Sequence, residues 1–263
     1  MSIRNFNYGR NRRGRISLAA ERFLYGSLAI SLIAQFTFLI RKDDISIYVA
    51  AIFGAIYSLS HSFLAYGPRY FWGYLSAGLF GSILIDSVAI HTEWPFGKFQ
   101  YLHLGPTIFS VPLLVPVFWL AVIHPLLILA RRVAPNWVMA SGALAITSYV
   151  IFTDQFLVSA GHKNWTFTGA HIPFQTHIPF TNLVGWLFTG FIGFGLLNVL
   201  LPKDRRKVSA SLTSIDLLLV WTWFYNVIGN AFIFHRPGTA LVGGIAFGAL
   251  LLPYLANRYL GQP

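Results

Sequence analysis

The run LLVPVFWLAVIHPLLILA (113–130) contains eighteen residues without Asp, Glu, Lys or Arg, and two arginines end it. An α-helix crosses a hydrocarbon core of about 30 Å with roughly 20 apolar residues. The run therefore predicts a membrane span over about 107–130. Similar runs predict seven further spans, over about 23–40, 45–66, 70–91, 137–159, 178–201, 213–235 and 239–257. We expect an all-α, polytopic transmembrane helical bundle of about eight spans, with seven as the fallback.

The composition of the 263-residue chain agrees with this fold class. Hydrophobic residues make up 56% of the chain, charged residues make up 10%, and the mean hydropathy is +0.61. A soluble domain carries about 25% charged residues. The apolar content excludes a disordered chain and argues against a water-soluble enzyme. The chain has no Cys, which excludes disulfides, thiolate zinc sites and cysteine nucleophiles.

The net charge of +11 is spread over short segments between the spans. A nucleic-acid-binding protein would instead cluster its basic residues on a polar face, so no nucleic-acid partner is predicted. Residues 1–22 form a basic N-terminal segment, which we expect to be uncleaved and cytoplasmic, and residues 23–263 form a single transmembrane domain. Eight crossings place 14 basic residues inside and five outside, which predicts cytoplasmic termini. The five outside are Arg41, Lys42, Lys98, Lys163 and Arg236.

Acidic residues within the spans are the first candidates for chemistry. A carboxylate at the bilayer centre costs about 2.5–3.5 kcal/mol, so such residues usually have a function. Four acids lie in loops beside basic residues: Glu21, Asp43, Asp44 and Asp204. Three others fall near the outer ends of the third and fifth spans, and we expect them to converge on one leaflet: Asp86, Glu93 and Asp154. The alternative is structural, with each acid paired to a cation. Asp216, near the inner end of the seventh span, is expected to cap it.

The eight histidines show neither HxxxH nor ExxH spacing, which removes the di-iron bundle and zincin patterns. A metal site remains an alternative because four histidines could meet across helices: His61, His91, His124 and His235. All five lysines fall between the spans, so we expect no buried lysine of the kind that a retinal Schiff base requires. The nucleotide-binding pattern GxxxxGK[ST] and the hydrolase pattern GxSxG are both absent from the sequence. No metal and no cofactor are predicted.

The outer loops are rich in aromatic residues, as in TEWPFGKFQYLHLGP (92–106) and GHKNWTFTGAHIPFQTHIPFTNLVGW (161–186). An interfacial aromatic belt explains each of these residues singly. The belt does not explain a Pro-Phe-Gly turn beside an acid, or Asn182 and Trp186 one helical turn apart. In the seventh span, Trp223, Asn226 and Asn230 share a helix face by spacing.

Two ordered blocks carry a family resemblance. The first is EWPFGKFQY (93–101) followed by LGPTIFSVPLLVPVFW (104–119). The second runs from Asp154 through Gly161 and Trp165 to IPFTNLVGW (178–186). Over about residues 80–190 the chain resembles the membrane-integral carotenoid biosynthesis proteins, a family that includes hydratases of acyclic carotenoid end groups.

The resemblance implies a cofactor-independent hydratase that adds water across the terminal double bond of an acyclic carotenoid. It implies Asp86, Glu93 and Asp154 as the acid/base set. It also implies a substrate pocket shaped by Trp94, Phe96, Tyr101, Trp165, Asn182, Trp186 and Trp223. The chemistry fits the residues, since one acid can protonate an alkene, a second can activate water, and aromatic faces can stabilise a tertiary carbocation. The implied partners are the lipid bilayer, a long polyene substrate and other carotenoid biosynthesis enzymes.

Three other functions remain open at this stage. A lycopene cyclase-like enzyme would begin with the same protonation but would leave the carotenoid mass unchanged. An iron-dependent carotenoid cleavage oxygenase would use the histidines and consume oxygen. A non-catalytic carotenoid carrier or scaffold would tolerate loss of Asp86 or Asp154. Product mass, bound iron and these substitutions distinguish the four functions.

Overall fold

The computed structural model describes residues 16–204 and 210–261, and in these ranges long helices pack side by side under a small cap of short strands. Residues 1–15, which belong to the basic N-terminal segment, lie outside the described ranges. So do three further basic residues predicted on the inner side: Arg205, Arg206 and Lys207. The helices are α1 (Leu18–Arg41), α2 (Asp44–Tyr66), α3 (Pro68–Ser76), α4 (Ser82–Thr92), α5 (Leu114–Val133), α6 (Val138–Ser159), α7 (Phe180–Leu200), α8 (Thr213–Ile228) and α9 (Pro237–Tyr259).

Seven helices of the described chain are long and apolar enough to cross a membrane. They are α1, α2, the continuous helix Pro68–Thr92, α5, α6, α7 and α9. The predicted all-α polytopic bundle is therefore confirmed, and seven of its helices have the length and hydropathy of a membrane span. The continuous helix joins α3 to α4 through a π-helical turn at Ala77–Gly81.

The predicted span over 213–235 corresponds to α8 and a π-helical turn at Gly229–Ile233. It is not one of the seven, and it carries one Asp and two Asn, which lower its apolar character. It nevertheless packs antiparallel to α9. Asp216 near the start of α8 bonds Tyr254 near the end of α9, and Trp223, later in α8, donates to the Gly244 carbonyl, earlier in α9. Thus α8 lies in the bundle beside a membrane-spanning helix.

Local sequence explains where several helices begin and end. The Ser17 hydroxyl accepts a hydrogen bond from the Ala20 amide at the start of α1, and the Asp43 carboxylate accepts one from the Ser46 amide at the start of α2. Such side chains satisfy the free amides of a first turn. In the third span, α4 ends at Thr92, three residues before Pro95, and the residue before a proline disfavours the helical conformation.

The cap of short strands joins the two aromatic loops. β1 (Phe99–Tyr101) pairs antiparallel with β4 (Lys163–Trp165), which sets Phe99 opposite Trp165 and Tyr101 opposite Lys163. Two smaller ladders complete the cap: β2 (Thr107–Ile108) with β3 (Val111–Pro112), and β5 (His171–Ile172) with β6 (Gln175–Pro179). The predicted start of the fourth span at 107 is therefore wrong, because residues 107–112 form a hairpin and α5 begins at Leu114.

Glycines bring α6 close to its neighbours. A Cβ on Gly142 would lie 2.3 Å from the Phe194 ring of α7, and one on Gly243 of α9 would lie 2.5 Å from Phe152. Small residues at such positions let helix backbones approach closely. As a result α6 lies between α7 and α9. Asp154 lies near the end of α6 that meets the cap.

Candidate active site

Asp154 accepts two hydrogen bonds at the end of α6 that meets the cap. The Lys163 ammonium donates to Oδ1 at 2.9 Å, and the Asn182 amide donates to Oδ2 at 2.7 Å. Both charged side chains are buried, with exposed fractions of 6% for Asp154 and 2% for Lys163. A buried ion pair offsets its desolvation cost only with good geometry and further hydrogen bonds, which Asn182 supplies. The pair joins α6, β4 and α7.

Lys163 lies in a cage of aromatic rings formed by the β1–β4 ladder. Its Nζ is 4.5 Å from the Phe99 centroid, 4.4 Å from Trp165 and 5.2 Å from Tyr101. Such cation–π contacts contribute about 2 kcal/mol or more when desolvated. Lys163 lies between the spans, as predicted, but the expectation that no lysine is buried is wrong. The ring of Trp165 and two rings more than sixty positions away, Phe99 and Tyr101, surround it.

Asp86 is the second buried carboxyl group of the cluster, with only 1% of its surface exposed. The Tyr101 hydroxyl donates to its Oδ2 at 3.4 Å, and the Trp119 indole lies beside it. Within the described ranges no cation pairs directly with Asp86, although Lys163 and Asp154 lie near enough to act on it electrostatically. The two acids therefore share one site but have unlike partners.

Tyr101 donates a hydrogen bond to Asp86 and lies near enough to Asp154 to feel its charge. Burial raises the pKa of the Tyr101 phenol well above its ordinary value, and the nearby charges of Asp86 and Asp154 raise it further. The phenol consequently keeps its proton at neutral pH and can act as a hydrogen-bond donor to Asp86.

An aromatic wall stands beside the acids. Trp186 lies one turn after Asn182 on α7, and its ring is 4.6 Å from Phe96 and 4.8 Å from Trp119. Gly185 permits this packing, because a Cβ there would lie 2.5 Å from the Phe96 ring. The Pro-Phe-Gly turn of the sequence thus rests directly on α7 beside the site.

Three buried polar atoms around the site form no hydrogen bond with any residue in the described ranges. They are Asp86 Oδ1, Asn182 Oδ1 and Trp186 Nε1. Nearly all buried polar atoms in proteins have a partner, so a cluster of exceptions marks a place for a small polar molecule.

A cavity of about 50 Å³ lies against the same cluster, lined by Tyr101, Asp154, Lys163 and Trp186. Its remaining walls are mainly apolar, with Leu114, Val115, Val150 and Leu157 among them. The buried acid–lysine pair therefore has open, largely apolar space beside it.

A second cavity of about 130 Å³ adjoins the first. Both are lined by Ile47, Phe118, Thr153 and Phe156. The larger cavity lies between α1, α2, α5, α6 and α8 and is lined along α8 from Leu218 to Asn230. From Leu218 to Asn230 the helix rises by about 18 Å, at 1.5 Å for each of twelve residues. The cavity is therefore longer than half of the hydrocarbon thickness of about 30 Å.

Three predicted site residues lie apart from the cluster. Glu93 ends α4 with φ +63°, is 55% exposed at its side chain, and pairs with Lys98 at 3.3 Å. Trp94 is exposed and contacts Phe188 edge to face. Trp223 donates its indole N–H to the Gly244 carbonyl between α8 and α9. Because α4 stops at Thr92, Glu93 does not share a helix face with Asp86.

The structure brings together seven of the ten predicted residues: Asp86, Phe96, Tyr101, Asp154, Trp165, Asn182 and Trp186. It adds Lys163 and Trp119, which the sequence did not single out. Trp119 closes the block LGPTIFSVPLLVPVFW, so its place at the end of a recognised block was the available signal. For Lys163, the paired aromatic segments on either side offered only a weak signal.

Two of the four histidines considered for a metal site do meet. His61 Nδ1 lies 2.9 Å from His124 Nε2, and the Tyr70 hydroxyl lies 2.8 Å from His124 Nδ1. These residues belong to the half of the bundle away from Asp154. His91 instead bonds the Ser87 carbonyl of its own helix. Within the described ranges no three His, Asp or Glu side chains group closely enough to hold a metal ion.

Comparison with known proteins adds two matches. The family model described as carotenoid biosynthesis protein matches residues 46–251. A bisanhydrobacterioruberin hydratase from Haloarcula japonica is 32% identical over 151 residues, which cover 52% of this chain and 50% of that protein. The match thus spans about half the length of this curated relative. No solved structure matches the chain.

Proposed function

The chain belongs to the carotenoid biosynthesis protein family, and on this premise we propose that it is a carotenoid hydratase. The reaction adds water across the terminal carbon–carbon double bond of an acyclic carotenoid through a tertiary carbocation. The observation that carries the proposal is a pair of buried carboxyl groups with unlike partners: Asp154 lines a cavity, and so does Tyr101, which bonds Asp86. The name of the Haloarcula japonica relative supports hydration as the reaction.

Asp86 is the proton donor in this proposal. A buried carboxyl group without a directly paired cation favours its neutral form, because an unpaired buried charge is expensive. Its proton forms a new C–H bond at the terminal alkene, and the neighbouring carbon becomes the tertiary cation. Tyr101 positions Asp86 through the hydrogen bond to Oδ2.

Asp154 is the base. Lys163 and Asn182 hold it as a carboxylate, which can accept a proton from the attacking water. The water oxygen bonds to the tertiary carbon and its proton passes to Asp154. The site resets when one proton moves from Asp154 back to Asp86, so the net reaction consumes only alkene and water.

Aromatic faces stabilise the intermediate. The rings of Trp186, Trp119 and Phe96 stack beside the acids, and ring faces attract a cation. Lys163 does not oppose this, since its charge is balanced by Asp154 at 2.9 Å. These rings also limit access to the site.

The larger cavity suits the polyene chain of the substrate. One wall is built from small residues of α2 and α5, namely Ala50, Ala51, Gly54 and Ala121. A long, thin, apolar molecule fits a channel of this kind along the bilayer normal. The end group then reaches the acids through the part that both cavities share.

The test is expression in a host that makes an acyclic carotenoid. We expect a product heavier by one water per modified end, and no such product with Asp86→Asn. Asp216→Asn is the matched control, because Asp216 bonds Tyr254 and Arg258 at the other end of the bundle and should leave hydration intact. Unchanged carotenoid beside correctly inserted protein would contradict hydration. A modified carotenoid of unchanged mass would indicate cyclisation instead.

The topology that fits this proposal has both termini in the cytoplasm. Trp221 of α8 bonds Gln35 of α1, and Gly229 lies beside Leu39, so α1 and α8 run parallel. Because α9 is antiparallel to α8, Leu18 and Tyr259 lie at the same end of the bundle. The chain has no Cys, so single cysteines can report sidedness. Gly261→Cys should react only with permeant reagents, and Lys42→Cys also with impermeant ones.

A further inference from the structure

The larger cavity has two unlike walls. Opposite the small residues of α2 and α5, helix α8 presents a polar stripe made of Thr222, Asn226 and Asn230. These residues are four positions apart and so lie on one helix face. The stripe runs along the cavity for about 12 Å, at 1.5 Å for each residue.

The hydrogen bonds of the stripe leave acceptors on the cavity side. Each asparagine amide donates at 2.8 Å to a carbonyl of its own helix, Asn226 to Thr222 and Asn230 to Asn226. Asn230 is only 4% exposed, and its Oδ1 has no hydrogen-bond partner in the described part of the chain. Polar side chains at membrane depth are costly and commonly mark a pathway for a polar species.

Helix packing does not account for the stripe. The contact of α8 with α9 is made by Trp223, which donates to the Gly244 carbonyl, and by Val227, which lies against Gly244. The asparagines face the cavity instead. The unpartnered amide oxygen of Asn230 is therefore available to a polar molecule in the cavity.

The polar groups continue to the acid site. Gln35, Tyr149 and Thr153 also line the larger cavity, and Thr153 lines the smaller one beside Asp154 as well. A polyene lying against the small-residue wall would leave the polar wall of this cavity to water molecules. A row of waters along this wall would end at the carboxylate that activates water.

We propose that the Thr222–Asn226–Asn230 stripe supplies water to Asp154. The inference rests on the proposed hydratase function. The cation formed by proton transfer from Asp86 has two fates. With water present, the oxygen bonds to the cation and a proton passes to Asp154. Without water, the cation loses a proton from a neighbouring carbon to a carboxylate and returns to an alkene.

The experiment uses the full-length protein in lipid nanodiscs, an acyclic carotenoid and deuterated water. We expect Asn226→Leu/Asn230→Leu to lower hydrated product at least tenfold, while carbon-bound deuterium accumulates in recovered unhydrated carotenoid. Asn226→Ser, which keeps a polar side chain on the stripe, should retain most of the hydration. Asn257→Leu on the exposed part of α9 is the matched control and should change neither readout.

Each outcome decides the inference. Normal hydration in the double variant would overturn it and leave the proposed function standing. Loss of both hydrate and deuterium exchange in the double variant would also overturn it, because the stripe would then be holding the fold. Wild-type protein that gives neither hydrate nor carbon-bound deuterium would instead refute the proposed function itself.

Discussion

Two buried carboxylate networks lie at opposite ends of the bundle. At the end away from the cap, Asp216 accepts from the Tyr254 hydroxyl at 2.5 Å on Oδ1, and from the Tyr259 hydroxyl at 2.7 Å and Arg258 on Oδ2. Both of its oxygens are bonded, and neither cavity is lined by it. At the cap end, Asp86 and Asn182 each have a buried oxygen with no partner in the described ranges, and Asp154 lines the smaller cavity.

The difference shows what separates a structural acid from a chemical one. Burial and an ion pair are common to both ends, so neither identifies a reactive site. An adjacent cavity distinguishes the network near the cap, because Asp154, Tyr101 and Lys163 line the smaller cavity and Asp216 lines neither of the two. Asp216 was predicted to cap α8, and it instead fastens α8 to α9, a structural role of a different kind.

The largest expected effect separates these two networks directly. Asp86→Asn should lower hydration by at least ~100-fold, the lower end for general acid catalysis, without lowering the unfolding temperature. Asp216→Asn should do the reverse, because Arg258 loses its charged partner while the chemistry is untouched. Rates per folded protein and thermal unfolding measure both. Equal rate losses in the two variants would erase the distinction.

The buried ion pair sharpens the comparison further. Lys163→Met should cost about 3–5 kcal/mol of unfolding free energy, because it leaves Asp154 buried without its cation. Adding Asp154→Asn should restore part of the stability but none of the hydration. Lys98→Met removes an exposed pair with Glu93 and should cost no more than about 1 kcal/mol. Unfolding in detergent compares the three, and similar costs for both lysines would contradict the assignment.

Gly185 tests the aromatic wall. Gly185→Ala places a Cβ against the Phe96 ring and should cost about 1–3 kcal/mol while lowering the hydration rate, because overpacking displaces the ring that stacks on Trp186. Gly193→Ala on the same helix meets nothing within 4 Å and should stabilise the protein slightly. Equal effects at the two positions would argue against close packing of the turn on α7.

Tyr101→Phe should lower the rate by about tenfold, since one hydrogen bond to a carboxyl group is worth roughly 1.5 kcal/mol. The raised pKa of Tyr101 places its deprotonation above the ordinary value of about 10, so the phenol stays neutral up to that pH. Rate profiles of wild type and variant should therefore have the same shape up to about pH 10. A wild-type alkaline loss below this pH that vanishes in the variant would contradict the assignment.

The smallest expected effects are at the exposed predicted residues. Glu93→Gln and Trp94→Leu should each change hydration by less than about twofold, because both side chains point away from the cluster and an exposed ion pair contributes little. Product yield per inserted protein measures this. A loss comparable to that of Asp86→Asn would return Glu93 to the acid set.

The sequence predicted the bundle because long apolar runs have few other folds available. Asp154, Asn182 and Trp186 were found because one-turn spacing and a buried acid are local signals. Lys163 was missed because its burial depends on a ladder between distant loops, which no local pattern reports. Glu93 lies apart because its left-handed backbone conformation ends α4, which the position of an acid in the sequence does not report.

The most direct test of the central claim follows the isotopes in the wild-type reaction. Purified protein in lipid nanodiscs is given an acyclic carotenoid in water labelled with deuterium and heavy oxygen. Acid-catalysed hydration predicts, for each modified end, one heavy oxygen on the tertiary carbon and one deuterium on the adjacent carbon. Unlabelled oxygen in the product, or a ring-closed product of unchanged oxygen content, would contradict acid-catalysed hydration.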